Sequence, residues 1–179
     1  GTGALSITTS GTTTGGTGDD GINAFNKGNG DVTINAATTT GGGDGIKART
    51  LGSGDVTINA VTTTGGYTGI NAINSGTGAL SITTTGTTTG GTTKDGIYAF
   101  LSNSASTGDL TINAATTTGG NNGINAINSG TGALSITTTG TTTGDNDGIY
   151  ADNDGTDLTI NAATTTGGND GIDADNEGS

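Results

Sequence analysis

The apolar residues of this 179-residue chain recur in a fixed order along the sequence. A Leu/Val-x-Ile motif occurs seven times, with first residues Leu5, Val32, Val56, Leu80, Leu110, Leu134 and Leu158. A Thr-Thr-Thr triplet and then a Gly-Ile dipeptide follow each copy of the motif. Apolar and polar residues alternate within it, which is the period of a strand, and the Gly, Asn and Asp residues between motifs favour turns. The pattern predicts about three short strands per repeat and no helix.

A repeat of about 24 residues is too small to bury its own apolar face, so successive repeats must stack. We therefore predict an all-β fold, a parallel β-helix (β-solenoid) of seven coils in which identical side chains form columns inside. The crossover rule for parallel strands favours the right-handed sense. We expect residues 1–179 to form one β-solenoid segment, with coils starting near residues 5, 32, 56, 80, 110, 134 and 158. Because the chain contains no Met, we interpret it as an excerpt of a longer repeat protein.

The amino-acid composition excludes several classes of function. Hydrophobic residues make up 27% of the chain and the net charge is −12, which alone would suggest disorder, but the repeat concentrates Leu, Ile and Val in columns. The absence of Cys and His excludes thiolate and Ser–His catalysis, disulfides and zinc sites with N or S ligands. Four basic residues argue against a nucleic-acid partner. No apolar run reaches spanning length, so we expect a chain that is not embedded in a membrane.

Three repeated segments carry a resemblance to a known family. They are Gly-Ala-Leu-Ser-Ile-Thr-Thr-Thr-Gly at Gly78–Gly86 and Gly132–Gly140, Gly-Asp-Val-Thr-Ile-Asn-Ala at Gly54–Ala60, and Gly-Ile-Tyr-Ala at Gly96–Ala99 and Gly148–Ala151. With these segments the chain resembles the passenger region of bacterial autotransporters, the type V secreted surface proteins. The resemblance implies a right-handed β-helix displayed outside a Gram-negative outer membrane, with adhesion or self-association as its role.

Repetition itself favours a scaffold over an enzyme. Residues 69–90 and 123–144 are identical, whereas a catalytic pocket needs different residues converging on one place. The main hypothesis is a structural and adhesive extracellular rod without catalysis. The threonine triplets also resemble the arrays of β-solenoid ice-binding proteins, so an antifreeze-like function is the alternative. A third hypothesis is a polysaccharide-active β-helix enzyme that uses paired carboxylates.

The acidic residues suggest one weak metal site. Nine of the sixteen lie from Asp145 onward. Aligning the last two coils on Ile149 and Ile172 puts Asp147 beside Asp170 and Asp152 beside Asp175. Stacked carboxylates repel one another unless they stay solvated or share a cation. We therefore consider solvated turn aspartates and a weak calcium site, and expect no other cofactor.

The residue three positions after each Gly-Ile isoleucine suggests a partner-binding stripe. This column reads Phe25, Arg49, Ile73, Phe100, Ile127, Asp152 and Asp175. The residue before it is Ala in every coil, and if that Ala faces inward, strand alternation turns the column outward. Tyr98 and Tyr150 would flank it. The alternative is that a corner at the Ala turns the column into the core.

Two kinds of partner follow from these features. The stripe could contact a second rod side by side, or a receptor on a host or cell surface. The first and last coils present unpaired strand edges, so copies could also join end to end.

Overall fold

The computed structural model describes residues 1–178, which form sixteen strands and no helix. All strand pairs are parallel, and equivalent strands of successive coils lie side by side. The chain is therefore a β-solenoid of about seven turns, as the repeat predicts, with two sheets running along its length.

The first sheet contains the Leu/Val-x-Ile motifs and the threonine triplets. Its nine strands are β1 (Leu5–Thr14), β3 (Val32–Gly41), β5 (Val56–Gly65), β7 (Leu80–Thr84), β8 (Thr87–Thr89), β10 (Leu110–Ala114), β11 (Thr116–Gly119), β13 (Leu134–Gly144) and β15 (Leu158–Thr166). Strands β7 and β8, and likewise β10 and β11, occupy the place of one long strand in the fourth and fifth coils.

The second sheet contains the Gly-Ile motifs, and each of its strands has five residues. Its seven strands are β2 (Ile22–Asn26), β4 (Ile46–Thr50), β6 (Ile70–Asn74), β9 (Ile97–Leu101), β12 (Ile124–Asn128), β14 (Ile149–Asn153) and β16 (Ile172–Asn176). They follow one another in chain order across the sheet. Every position in this sheet therefore forms an unbroken column along the solenoid.

The prediction of three strands per repeat is wrong for five of the seven coils. There, one strand of nine to eleven residues runs through both the apolar motif and the threonine triplet. The hydrogen-bonded ladder continues because each coil supplies a parallel neighbour. Coils with Leu-Ser-Ile carry one more residue, and the register shift that absorbs it lies between Thr9 and Thr12 and between Thr138 and Thr141.

Four apolar columns fill the interior. In each central coil, Leu or Val and Ile from the first sheet face Ile and Ala from the second, as in Val56, Ile58, Ile70 and Ala72, none of which is accessible to solvent. In the two end coils the first-sheet columns are only partly covered, and in the last coil Ile172 of the second sheet is 43% exposed. Every second residue of these strands thus packs inside the solenoid, and the residues between them point outward.

Buried asparagines hold the turn after the short strands. Asn74 accepts the Gly76 N–H at 2.9 Å and donates to the Gly78 carbonyl at 3.0 Å, and Asn128 makes the equivalent pair of bonds. In the fourth coil Leu101 occupies this column and is fully buried. The turn there is three residues longer, and Ser106 donates instead to the Thr77 carbonyl at 3.1 Å.

Candidate functional site

The predicted stripe lies on the outer surface of the second sheet. Its seven members pair in one continuous register from Phe25 to Asp175. Phe25 is 43% exposed, and Ile73, Phe100 and Ile127 are half-buried. The alanine before each of the first six members is buried, and so is the residue after it in the central coils. The column therefore points outward, and no corner turns it into the core.

Aromatic and cationic side chains surround the first half of this column. Tyr98 and Phe100, both outward on β9, have ring centres 6.3 Å apart in an edge-to-face arrangement. The Lys27 ammonium lies 5.4 Å and the Arg49 guanidinium 5.7 Å from the centre of the Phe25 ring, which is within the range of cation–π attraction. Burial and then the charge of Asp95 raise the pKa of Tyr98, so its phenol stays neutral.

The second half of the column is acidic. Asp152 follows Ile127 in register and Asp175 follows Asp152. Burial raises the pKa of Asp152, and the neighbouring carboxylates Asp154 and Asp175 raise it further. Burial and four aspartates, led by Asp152, also raise the pKa of Tyr150. Negative charge is thus concentrated at this end without a compensating cation from Lys or Arg, since none follows Lys94.

The four aspartates considered for calcium form two separate pairs. Asp147 and Asp170 are joined because a carboxylate oxygen of Asp147 accepts the Asp170 N–H at 3.3 Å, and its other oxygen accepts the Asn146 amide at 2.8 Å. Asp152 and Asp175 are register partners on the neighbouring strands β14 and β16. Within residues 1–178 no group of three or more carboxylates is close enough to hold a metal ion.

The aspartates that precede Gly-Ile have a structural role that was not predicted from the sequence. Asp20 accepts the Asp44 N–H at 2.9 Å, Asp44 accepts the Thr68 N–H at 3.1 Å, and Asp95 accepts the Asn122 N–H at 3.0 Å. Each carboxylate or amide oxygen thus ties one coil to the next. The signal was present as Asp or Asn directly before Gly-Ile in six of seven coils.

Lys47 lies on the outer surface beside this series of hydrogen bonds, which we call the aspartate ladder. Its ammonium lies 3.7 Å from a carboxylate oxygen of both Asp20 and Asp44. These groups, with Tyr67 and Lys94, line a shallow groove of about 340 Å³. The carboxylates are already engaged by backbone N–H groups, asparagine amides and Lys47.

The threonine triplets place two side chains outward and one inward. In the five central coils the middle threonine is buried, as at Thr63 and Thr117, and its hydroxyl has no hydrogen-bond partner among the described residues. The first and third threonines of each triplet point outward in two columns, which we call the threonine face. The extra residue of the Leu-Ser-Ile coils is absorbed before the triplet, so triplets of successive coils pair without a shift.

A second groove runs along the bend of the first sheet, beside the threonine face. It measures about 400 Å³ and is lined by small or amide side chains, among them Ala37, Val61 and Asn59. Asn59 donates its amide to Asn35 at 2.9 Å, which makes a short amide ladder along its wall. None of its lining side chains is ionisable, so it offers shape and amides but no acid or base.

Comparison of this chain with protein-family models, with curated proteins and with solved structures gave no match. Since residues 1–178 form no helix, they contain none that is long and apolar enough to cross a membrane.

Proposed function

We propose that this chain is a structural and adhesive segment of an extracellular β-solenoid rod, which works by surface attachment or self-association and not by catalysis. One observation carries the proposal. Phe25, Ile73, Phe100 and Ile127 stand in one outward column on an otherwise polar chain. An outward apolar row contributes little to folding, and such rows are typical of contact surfaces.

The chemistry of the grooves supports a non-catalytic role. The groove along the bend has no ionisable lining, and in the charged groove the carboxylates of Asp20 and Asp44 already accept backbone N–H groups. A general acid or base needs a carboxyl group free to exchange its proton with a substrate. The repeated segments that resemble autotransporter passengers lead us to propose display on a Gram-negative cell surface.

Attachment can be tested with the chain coupled to beads or displayed on cells. The variant Phe25→Ser/Ile73→Ser/Phe100→Ser/Ile127→Ser should fold like the parent and lose clumping or attachment, because only outward side chains change. A matched control replaces four outward threonines, Thr38, Thr62, Thr116 and Thr141, by Ser. Retained attachment in the stripe variant, with the fold intact by circular dichroism, would remove the basis of the proposal.

Ice binding is the second candidate, and the threonine face favours it. Its two columns keep one register through successive coils, with neighbours along the solenoid about 4.8 Å apart. Such a regular array of hydroxyl and methyl groups is suited to an ordered water surface. Thermal hysteresis of the chain, lost on Thr87→Lys and kept on Thr111→Lys, would establish it. Thr111 is the suitable control because it lies in β10 but outside the triplets.

A further inference from the structure

The outward side chains of the seven short strands form one surface, which we call the short-strand face. Its charge changes sign along the solenoid. Arg49 on β4 and Lys27 just after β2 lie at one end, where Lys47 is already paired with Asp20 and Asp44. At the other end lie Asp152 on β14, Asp173 and Asp175 on β16, and Glu177 just after it. The apolar residues lie between the two charged ends.

The sequence of this face is complementary to its own reverse. Phe100 is on β9, the middle strand of seven. Ile73 and Ile127 lie one strand away from it on opposite sides, and Arg49 and Asp152 lie two strands away. Lys27 and Glu177 take equivalent positions after the two outermost strands. Apart from the outermost pair, Phe25 and Asp175, reading the column backwards therefore exchanges positive for negative and keeps apolar opposite apolar.

We propose that two copies of this chain pair through their short-strand faces, antiparallel, about a two-fold axis at Phe100. Arg49 then meets Asp152 of the second copy, Ile73 meets Ile127, and the two Phe100 rings meet at the axis. Such a contact is isologous, so every favourable pair occurs twice. This pairing rests on the proposed associating function and specifies its partner as a second copy of the chain.

A parallel arrangement of the same faces is disfavoured by charge. It would set Arg49 against Arg49 and Asp152 against Asp152, and like charges directly opposite one another repel. Arg49 is free to take a new partner, because the ion pairs found within residues 1–178 both belong to Lys47. A cationic partner would stabilise the Asp152 carboxylate in particular, since its neighbours Asp154 and Asp175 are themselves acidic.

One pair in this arrangement is not matched by side-chain type. Phe25 lies opposite Asp175 of the second copy. The cations of Lys27 and Arg49, which stand 5.4 and 5.7 Å from the Phe25 ring centre, supply the positive charge at that corner. The same two cations face the acidic residues of the last coil, so the corner is attractive as a whole.

The size of the face sets the strength of the contact. Six strand spacings of about 4.8 Å and five residues of about 3.3 Å give roughly 29 by 16 Å. Two such faces would bury about 900 Å² in total, which is below the size of a stable complex and within the range of weak ones. The dimer should therefore depend on protein concentration and weaken with salt.

Charge reversal tests the pairing by sedimentation velocity across a concentration series. Arg49→Glu and Asp152→Lys should each raise the dissociation constant of the dimer about tenfold or more, since each creates two repulsive pairs. The double variant Arg49→Glu/Asp152→Lys restores both pairs and should return close to the parent. Asp157→Lys, the same charge change in the turn before β15, is the control and should leave the dimer unchanged.

Disulfide trapping gives the direction independently, because the chain has no Cys. Ile73→Cys mixed with Ile127→Cys should form mixed disulfides faster than either variant crosslinks with itself. A parent chain that stays monomeric would overturn the pairing, as would a double variant no better than the singles, faster self-crosslinking, or fibres indifferent to both charge reversals. Attachment lost only in the stripe variant, with no dimer, would overturn the pairing and leave the proposed function standing.

Discussion

The two outer surfaces of the solenoid differ although the same interior supports both. On the threonine face the outward residues are the same in every coil, and the face carries no formal charge. On the short-strand face the outward residue of the stripe is aromatic, cationic, aliphatic or acidic depending on the coil. Inward positions of both sheets nevertheless repeat the same few apolar side chains.

This difference separates what folding requires from what it leaves open. Stacking requires identical inward columns, because each side chain packs on its equivalent in the next coil. It also tolerates repetition outside, since threonine is a good strand residue. Variation from coil to coil on one face alone is not explained by folding. The short-strand face is therefore where specific recognition is expected, and the threonine face is where a uniform array is expected.

The largest predicted effect tests whether the interior is as uniform as this comparison requires. Ile112→Asp in the first sheet and Ile124→Asp in the second should each abolish cooperative folding, because both side chains are fully buried and an unpaired buried charge is very costly. Circular dichroism and thermal melting would measure it.

The controls for this prediction are the outward neighbours. Thr111→Asp changes the outward residue next to Ile112 and should alter stability by about 0.5 kcal/mol or less. Asn125→Ser changes the outward residue next to Ile124 and should cost only about 1–2 kcal/mol, because it removes one hydrogen bond to Asp95. Equal damage from an inward and an outward replacement would contradict the register of that sheet.

Much of the architecture could be predicted because the same apolar residues reveal both the alternation within a strand and the pairing register between coils. Leu5, Val32 and Val56 begin strands that pair with one another in the structure, and the Gly-Ile isoleucines pair likewise. The alternation within each motif predicts which side chains face the core and which face solvent. The recurrence of the motif once per coil predicts which residues pair between neighbouring strands. The outward position of Phe25 and Ile73 followed from that alternation, once Ala24 and Ala72 were taken as inward.

Other features depended on contacts between coils that no single repeat reveals. A Cβ on Gly45 or Gly69 would lie 2.6 to 2.8 Å from a buried threonine methyl of the next coil, so the Gly of Gly-Ile is required by packing. The ladder through Asp20 and Asp44 uses N–H groups 24 residues away. The place of Leu101 in the asparagine column was not expected. The longer turn that follows it obscures its equivalence to Asn74 in the sequence.

An intermediate effect is predicted for the asparagines that link the short strands to their turns. Asn128 donates to the Gly132 carbonyl and to Asn153, both at 2.8 Å, and accepts the Gly130 N–H at 3.0 Å. Asn128→Ala leaves buried backbone groups without partners and should cost about 2–4 kcal/mol. Asn113→Ala, at an exposed position of β10, should cost far less in urea unfolding. Similar losses would mean that both asparagine columns act alike.

A smaller and opposite effect is predicted under the threonine face. The hydroxyl of Thr117 is buried and has no hydrogen-bond partner within residues 1–178. Thr117→Val replaces it by a methyl group and should raise the free energy of unfolding by about 1 kcal/mol. Thr118→Val, on the exposed side of the same strand, should change stability little. A destabilised Thr117→Val chain would show that the inward hydroxyl is satisfied after all.

The smallest effect concerns pH at the acidic end of the short-strand face. Burial, Asp154 and Asp175 hold the pKa of Asp152 above its ordinary 3.8, so the folded chain binds this proton more tightly than the unfolded chain. The ionised Asp152 carboxylate therefore destabilises the folded chain fully at neutral pH. This destabilisation is relieved as the pH falls through the raised pKa toward 3.8.

Asp152→Asn removes that charge and keeps the shape of the side chain. The variant should melt slightly higher than the parent at pH 7, by a small margin because solvent screens this partly exposed charge, and the difference should shrink as the pH falls toward 4. Dilute protein is needed, because in the proposed dimer Arg49 of the second copy would stabilise the carboxylate and reverse the sign of the effect. A parent chain that is more stable than the variant in dilute solution at pH 7 would mean that Asp152 already has a cationic partner within its own chain.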